Sequence, residues 1–147
     1  MPGLSRGNNA IAFIDSEYNT AWQSDVDRVF HYAYDTSLGP KAGANMPAAV
    51  VNAFYIINSV HDFTYRYGFT ENAFNFQANN FGQGGSGNDR VLMSVQNDEG
   101  FNNAKFFTPP EYVLASIGFG FVNADLLSVV KAASARCTSG INPQYVD

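Results

Sequence analysis

The side chains that most often perform catalysis are scarce in this sequence. It contains two histidines, His31 and His61, and a single cysteine, Cys137. A metal site built on one helix requires two histidines four positions apart, with a glutamate after the first that takes a proton from metal-bound water. No such arrangement is present, and no Gly-x-Ser-x-Gly motif offers a nucleophilic serine. We therefore predict that these 147 residues supply neither a catalytic group nor a metal ligand.

The two histidines are also poor candidates when each is considered alone. His31 has no companion ligand nearby in the sequence. His61 is followed by Asp62, but adjacent side chains on a helix point about 100° apart, so we do not expect the two to form a joint site. We interpret His61 as a hydrogen-bonded core histidine.

The sharpest candidate for binding is the short stretch Asn102-Asn103-Ala104. A protein can hold a peptide as an added β-strand along an exposed sheet edge, through backbone N–H and C=O groups. The asparagine amides can donate and accept hydrogen bonds, and the small Ala104 lets a second backbone approach closely. We predict that these three residues bind the substrate. The alternative is an ordinary edge strand that is kept polar against aggregation.

A glycine-rich loop, residues 79–89, has a superficial likeness to a phosphate-binding loop. The dinucleotide-binding pattern follows a strand and opens a helix, whereas this loop precedes a strand. We therefore interpret it as a mobile surface loop that ends a hairpin. Asn88 and Asp89, at the end of the loop, could cap the backbone or bind a cation.

The composition argues against several classes of partner. The net charge is −5 and the eight lysines and arginines are scattered, so nucleic acid is not an expected partner. No run of about 18 apolar residues is present, so we expect no membrane span. Hydrophobic residues make up 46% of the chain, which is enough apolar side chain for a packed core. The first residues lack the charged-then-apolar pattern of a signal peptide.

A long helix over residues 47–67 is the clearest structural element. Pro47 suits the first turn, and Gly68 suits a left-handed stop covered by Phe69. Apolar and aromatic residues recur at helical spacing and predict one buried stripe. The stripe consists of Val50, Phe54, Ile57, His61 and Tyr65, widened by Val51, Tyr55 and Phe63.

The remaining elements are short. Strands are predicted over residues 73–79, 90–96 and 102–107, with a turn over 97–100 between the last two. Residues 117–121 show no pattern, and Asn123 could cap a final helix over 124–135.

These segments, in this order, resemble the fungalysin family of secreted zinc metalloendopeptidases. The similarity rests on NAFYIINSVHDFTYRYGFTENAFNFQANNFGQGGSGNDRVLMSVQ, on NNAKFFTPP and on the earlier segment RGNNAIA, and it covers roughly residues 6–110. It implies an α+β fold: the N-terminal lobe of a thermolysin-like metallopeptidase domain, with the long helix packed on a small, mostly antiparallel sheet. It also implies that Asn102, Asn103 and Ala104 bind peptide backbone.

The family's catalytic apparatus is not found in this sequence. The resemblance implies a zinc ion held by a His-Glu-x-x-His helix and a further glutamate, a propeptide in the full-length precursor, and protein or peptide substrates outside the cell. Residues 111–147 carry no family motif. We therefore divide the chain into a partial catalytic domain, 1–110, and a divergent tail, 111–147, and expect no zinc binding or peptidase activity from this chain alone.

Three hypotheses follow from these patterns. The first is part of a secreted zinc metalloendopeptidase. The second is a non-catalytic peptide-binding module or decoy that uses the same edge strand. The third is a structural α+β domain without a ligand, which would be favoured if the Asn-Asn-Ala strand were buried.

Overall fold

The computed structural model describes residues 4–15, 19–21, 29–101, 104–107 and 116–121, and for residues 98–101 and 117–121 it describes the backbone alone. The fold is α+β, with one long helix against a four-stranded sheet. The elements are β1 (Ala10–Phe13), α1 (Asn45–Arg66), a short 3-10 helix (Glu71–Ala73), β2 (Val91–Phe101), β3 (Ala104–Phe107) and β4 (Ser116–Phe121). Within this part of the chain, no helix is long and apolar enough to cross a membrane. The helix predicted over residues 124–135 lies outside the described residues.

Helix α1 confirms the predicted long helix, with a shift of two residues at its start and one at its end. Val50 and Ile57 are buried as predicted, and Phe54 is half-buried against the core. Tyr55 and Phe63 are 71% and 61% exposed, so the prediction that they widen the buried stripe is wrong. Both lie on the solvent side of the helix, because the buried face is completed instead by smaller or more central residues, Ala53 and Ile56.

The C-terminal stop of α1 is the predicted one. Gly68 has φ +97°, and its N–H donates to the carbonyl of Tyr65, while the N–H of Phe69 donates to the carbonyl of Thr64. This pair of bonds defines a Schellman motif, which satisfies carbonyls that the helix end leaves open. Phe69 then packs edge-on against Phe76, with ring centroids 5.8 Å apart.

The expectation of a mostly antiparallel sheet is wrong. The strand order is β1-β2-β4-β3, and β1–β2 and β2–β4 are parallel, whereas β3–β4 is antiparallel. The physical reason is the connection: α1 lies between β1 and β2 in the chain, and a crossover through a helix returns the next strand in the same direction. β4 is then inserted between β2 and β3.

Two of the predicted boundaries also differ. Residues 73–79 form no strand, because the chain turns at Phe74, which has φ +58° directly after the 3-10 helix. Residues 97–100 form no turn, because β2 continues through them with register shifts between Ser94 and Phe101. Gln96 takes φ +52° at that irregularity, as expected of a bulge that lets a strand bend without ending.

β4 lies beyond residue 110, in the segment assigned to the divergent tail. Its residues pair with strands on both sides: Gly118 is opposite Ser94 of β2 and Lys105 of β3. The alternating glycines of this strand gave no amphipathic pattern, which is why the sequence did not predict it. The boundary at 110 stays a prediction, and β4 indicates that the sheet extends past it.

The core lies between α1 and the sheet. Val50, Ala53 and Ile57 from α1 meet β1 and β2, where Ala10, Ala12, Val91, Met93 and Val95 are buried. The small alanines of β1 allow the helix to lie close to the sheet. Asn45 at the start of α1 is fully buried and holds the preceding loop through its amide.

Candidate functional site

The predicted binding strand lies at one end of the strand order. β3 pairs with β4, with Ala104 opposite Phe119, and none of the described strands pairs with the other edge of β3. Ala104 and Phe106 pack against the core, whereas Lys105 is exposed and Phe107 is 63% exposed. This alternation is that of a strand with one covered face.

Only one of the three predicted substrate-binding residues lies in the described part of the chain. Ala104 is half-buried at the start of β3. Asn102 and Asn103 lie outside the described residues. The assignment of all three to substrate binding therefore stays a prediction.

His61 is held by hydrogen bonds on both ring nitrogens. Nδ1 lies 3.2 Å from Oδ1 of Asp62, and Nε2 lies 3.1 Å from Nε2 of Gln77. A carboxylate accepts and an amide nitrogen donates, so these two contacts fit the tautomer that carries its proton on Nδ1. The side chains of His61 and Asp62 are in contact, and the expectation that they form no joint functional site stays a prediction. Both ring nitrogens of His61 therefore contact neighbouring side chains.

A zinc site does not fit the described residues. No group of three or more histidine, cysteine, aspartate or glutamate side chains that could hold a metal is found among them. His31 is exposed, and Cys137 lies outside the described ranges. We therefore derive no catalytic step through zinc from this chain.

The glycine-rich loop is built around two asparagines. The Nδ2 of Asn80 donates to the carbonyls of Gly84 (2.8 Å) and Ser86 (3.0 Å), and the Oδ1 of Asn79 accepts from the N–H of Phe81 (2.8 Å). These bonds fold the loop back on itself. The description of a plain hairpin end is therefore wrong, because the loop packs on the 3-10 helix instead of joining two paired strands.

The end of the loop is fixed by Asp89, which caps the backbone. Its Oδ1 accepts from the N–H of Gln77 at 3.0 Å, and its own N–H donates to the carbonyl of Gln77 at 3.2 Å. Asn88 is exposed and uses its N–H on the carbonyl of Ala78. Of the two roles open to this pair, the described contacts show the capping one.

Sequence reasoning missed a set of buried polar side chains around this loop. They are Glu71, Asn75, Gln77, Asn80 and Asp89, none more than 8% exposed. Phe74, by contrast, is 48% exposed. A possible signal was the alternation Phe-Asn-Phe-Gln in residues 74–77, whose two amide side chains are buried in the structure.

Glu71 interacts with the end of α1. The hydroxyl of Tyr65 donates to Oε2 of Glu71 at 3.0 Å. This hydrogen bond raises the pKa of Tyr65 above its ordinary value, because ionisation of the phenol would remove the donor; burial and the carboxylate's charge act in the same direction.

The comparisons with known proteins identify the chain's relatives. The model of the family "Fungalysin metallopeptidase (M36)" matches residues 3–118. Extracellular metalloproteinase 5 of Trichophyton tonsurans is 44% identical over 112 residues, which are 73% of this chain and 18% of that protein. Its namesake in Arthroderma benhamiae is 44% identical over 112 residues, 73% of this chain and 17% of that protein.

A third relative gives the same result. Extracellular metalloproteinase 9 of Uncinocarpus reesii is 43% identical over 113 residues, 73% of this chain and 18% of that protein. The chain therefore spans less than a fifth of the length of the curated relatives that it matches. Since the family model covers most of its residues, from 3 to 118, the chain belongs to the fungalysin (M36) metallopeptidase family.

Proposed function

We propose that this chain is the N-terminal part of the catalytic domain of a secreted zinc metalloendopeptidase, and that it contributes the edge strand that binds the substrate peptide. The family membership and the three relatives named extracellular metalloproteinases support the class of reaction and the secretion. The terminal position of β3 in the sheet supports the role of the edge.

The proposed binding mode is the addition of a strand. A peptide would exchange backbone hydrogen bonds with the edge of β3 along which none of the described strands pairs, and the amides of Asn102 and Asn103 would add side-chain bonds. Ala104 would leave room for the incoming backbone. The residues that bind the catalytic zinc and the residue that acts as the general base would lie outside these 147. The propeptide would belong to the longer precursor.

A chimera tests this proposal. Residues 3–118 would replace the matching segment of the Trichophyton tonsurans relative, and hydrolysis of a casein substrate would be measured. We expect chelator-sensitive hydrolysis by the chimera and none by the 147-residue chain alone. In the chimera, Asn103→Ala should lower kcat/KM about two- to twelvefold, since a lost neutral hydrogen bond is worth about 0.5–1.5 kcal/mol.

The control variant is Gln83→Ala, in the exposed part of the glycine-rich loop. It should leave kcat/KM of the chimera unchanged. If Asn103→Ala and Gln83→Ala behaved alike, the edge strand would not be the substrate-binding element. A purified 147-residue chain that bound peptides tightly without hydrolysing them would instead favour the module or decoy.

A further inference from the structure

Four polar side chains near the glycine-rich loop are buried, and three of them carry side-chain atoms without a hydrogen-bond partner. We call them the buried oxygen cluster: Glu71, Asn75, Gln77 and Asn80. Asn75 is fully buried, and neither atom of its amide has a hydrogen-bond partner in the structure. The Oε1 of Gln77 and the Oδ1 of Asn80 are also buried and unpartnered. Each buried polar group without a partner lowers the stability of the fold by about 1–3 kcal/mol, unless a water molecule or a ligand interacts with it.

Contacts with α1 bring two members of the cluster to one helix face. Gln77 reaches Nε2 of His61, and Glu71 accepts from Tyr65. His61 and Tyr65 are one helical turn apart, with ring centroids separated by 5.9 Å. The side chains of Gln77 and Glu71 therefore approach neighbouring positions on the helix.

The glycine-rich loop and the 3-10 helix bring the other two members close. A Cβ added at Gly85 would fall 1.9 Å from the backbone oxygen of Glu71 and 3.2 Å from Nδ2 of Asn80, so Asn80 lies beside the 3-10 helix. The N–H of Asn75 donates to the carbonyl of Thr70 at 3.2 Å, which folds Asn75 back over the same helix. The backbone of Asn75 and the side-chain amide of Asn80 thus lie next to the 3-10 helix that carries Glu71.

The chemistry of this region favours a cation. Three of the four unpartnered atoms are amide oxygens, and within the described residues the carboxylate of Glu71 is met only by the neutral hydroxyl of Tyr65. A buried carboxylate normally requires a positive partner. Calcium binds six to eight oxygen ligands drawn from carboxylates, amide carbonyls and water. Water alone would satisfy the amides and leave the charge of Glu71 unmatched.

We propose that the buried oxygen cluster binds a divalent cation of the calcium class. Glu71 supplies the charge, and the amide oxygens of Asn75 and Asn80 supply neutral ligands, with water completing the shell. The Oε1 of Gln77 accepts from one of those waters. A single carboxylate places the affinity at the weak end, with a dissociation constant of about 10⁻⁴–10⁻³ M, the range of extracellular modules.

The first test measures thermal unfolding of the full 147-residue chain, treated with chelator and then titrated with calcium chloride. At ten times the dissociation constant, the apparent unfolding constant should fall about elevenfold, with a rise in Tm. Glu71→Gln keeps the shape of the side chain and should abolish this shift. Asp15→Asn removes an exposed carboxylate elsewhere and should keep it in full.

A second test does not depend on the stability of a charge variant. Terbium(III) replaces calcium and emits strongly when a nearby tyrosine absorbs the exciting light. Tyr65 contacts Glu71 directly, so Tyr65→Phe should reduce the sensitised emission severalfold. Tyr55 is 71% exposed on the other side of α1, and Tyr55→Phe should leave the emission unchanged.

Two results would overturn the proposal. The first is the absence of any calcium-dependent rise in Tm at about 10 mM calcium, ten times the weakest expected dissociation constant. The second is equal behaviour of the paired variants, either Glu71→Gln and Asp15→Asn or Tyr65→Phe and Tyr55→Phe. In either case the cluster holds water only.

Discussion

Two glycines of the same loop offer a matched test of how the loop is packed. Gly82 and Gly85 both have positive φ, +76° and +62°, which favours glycine at each position. A Cβ at Gly82 would meet nothing within 4 Å, whereas at Gly85 it would meet the backbone oxygen of Glu71 at 1.9 Å. The two alanine variants therefore share the conformational cost and differ in the collision.

The magnitudes follow from these two terms. The left-handed conformation costs about 1–2 kcal/mol for an alanine, which is the whole effect expected of Gly82→Ala. Gly85→Ala must also displace the backbone of the 3-10 helix, and overpacking costs about a further 1–3 kcal/mol. The obstacle is a main-chain carbonyl, so it cannot rotate away as the end of a side chain would.

Urea unfolding of the two variants, followed by tyrosine fluorescence, measures the difference in the free energy of unfolding. We expect Gly85→Ala to be the less stable by about 1–3 kcal/mol, with an unchanged dependence on urea. Equal destabilisation would show that the loop does not rest on Glu71. That result would also separate Asn80 from the other members of the buried oxygen cluster.

Two further predictions concern buried polar groups. Asn45→Ala should destabilise the chain by about 2 kcal/mol, because the amide of Asn45 is the partner of both backbone groups of Asp35; the exposed Asn52→Ala is the control for urea unfolding and should be nearly neutral. Glu71→Gln should lower the pKa of Tyr65 towards its ordinary value, since the charged acceptor holds that pKa up. In the original chain the pKa of Tyr65 is raised on folding, so the contribution of this pair is complete below about pH 10 and is lost as the pH rises through the folded value. Absorbance titration at 295 nm checks the shift, and an unchanged titration in Glu71→Gln would contradict it.

The elements that the sequence predicted are those whose signals are local. Apolar residues at helical spacing predict helix α1. Gly68 predicts its end, because a left-handed C-terminal residue is a local preference of glycine. The strand at Val91 was found through its alternation. Each of these signals is contained within a few residues and needs no knowledge of the rest of the chain.

The sheet topology could not be obtained in that way. The parallel pairing of β1 with β2 joins Ala10 to Val91, across the whole of α1, and no property of either segment alone encodes it. β4 was missed because its glycines carry no pattern, although its backbone completes the sheet between β2 and β3. Strand pairing depends on partners that are distant in the sequence, so local periodicity cannot rank the alternatives.

The burial of polar residues at 71–89 was missed for a different reason. Asparagine and glutamine are mostly exposed in proteins, so no local pattern predicts that they are buried where they bond the backbone of a loop. Asn80 satisfies two carbonyls of a glycine-rich turn, and Asp89 satisfies the N–H of Gln77. A loop with this many turns leaves many backbone N–H and C=O groups without backbone partners. Buried side chains must therefore form hydrogen bonds with these groups if the loop is to be compact.

That requirement links the loop to the sheet that carries the proposed binding edge. The carbonyl of Asn9, just before β1, accepts from the N–H of Val91 at 2.9 Å, and the guanidinium of Arg90 donates to the carbonyl of Gly7 at 3.1 Å. Both bonds form where the loop ends and β2 begins, so the loop sets where β2 enters the sheet. β2 pairs with β4, and β4 pairs with β3. Loosening the loop should therefore weaken peptide binding at β3 without any change in the residues that touch the peptide.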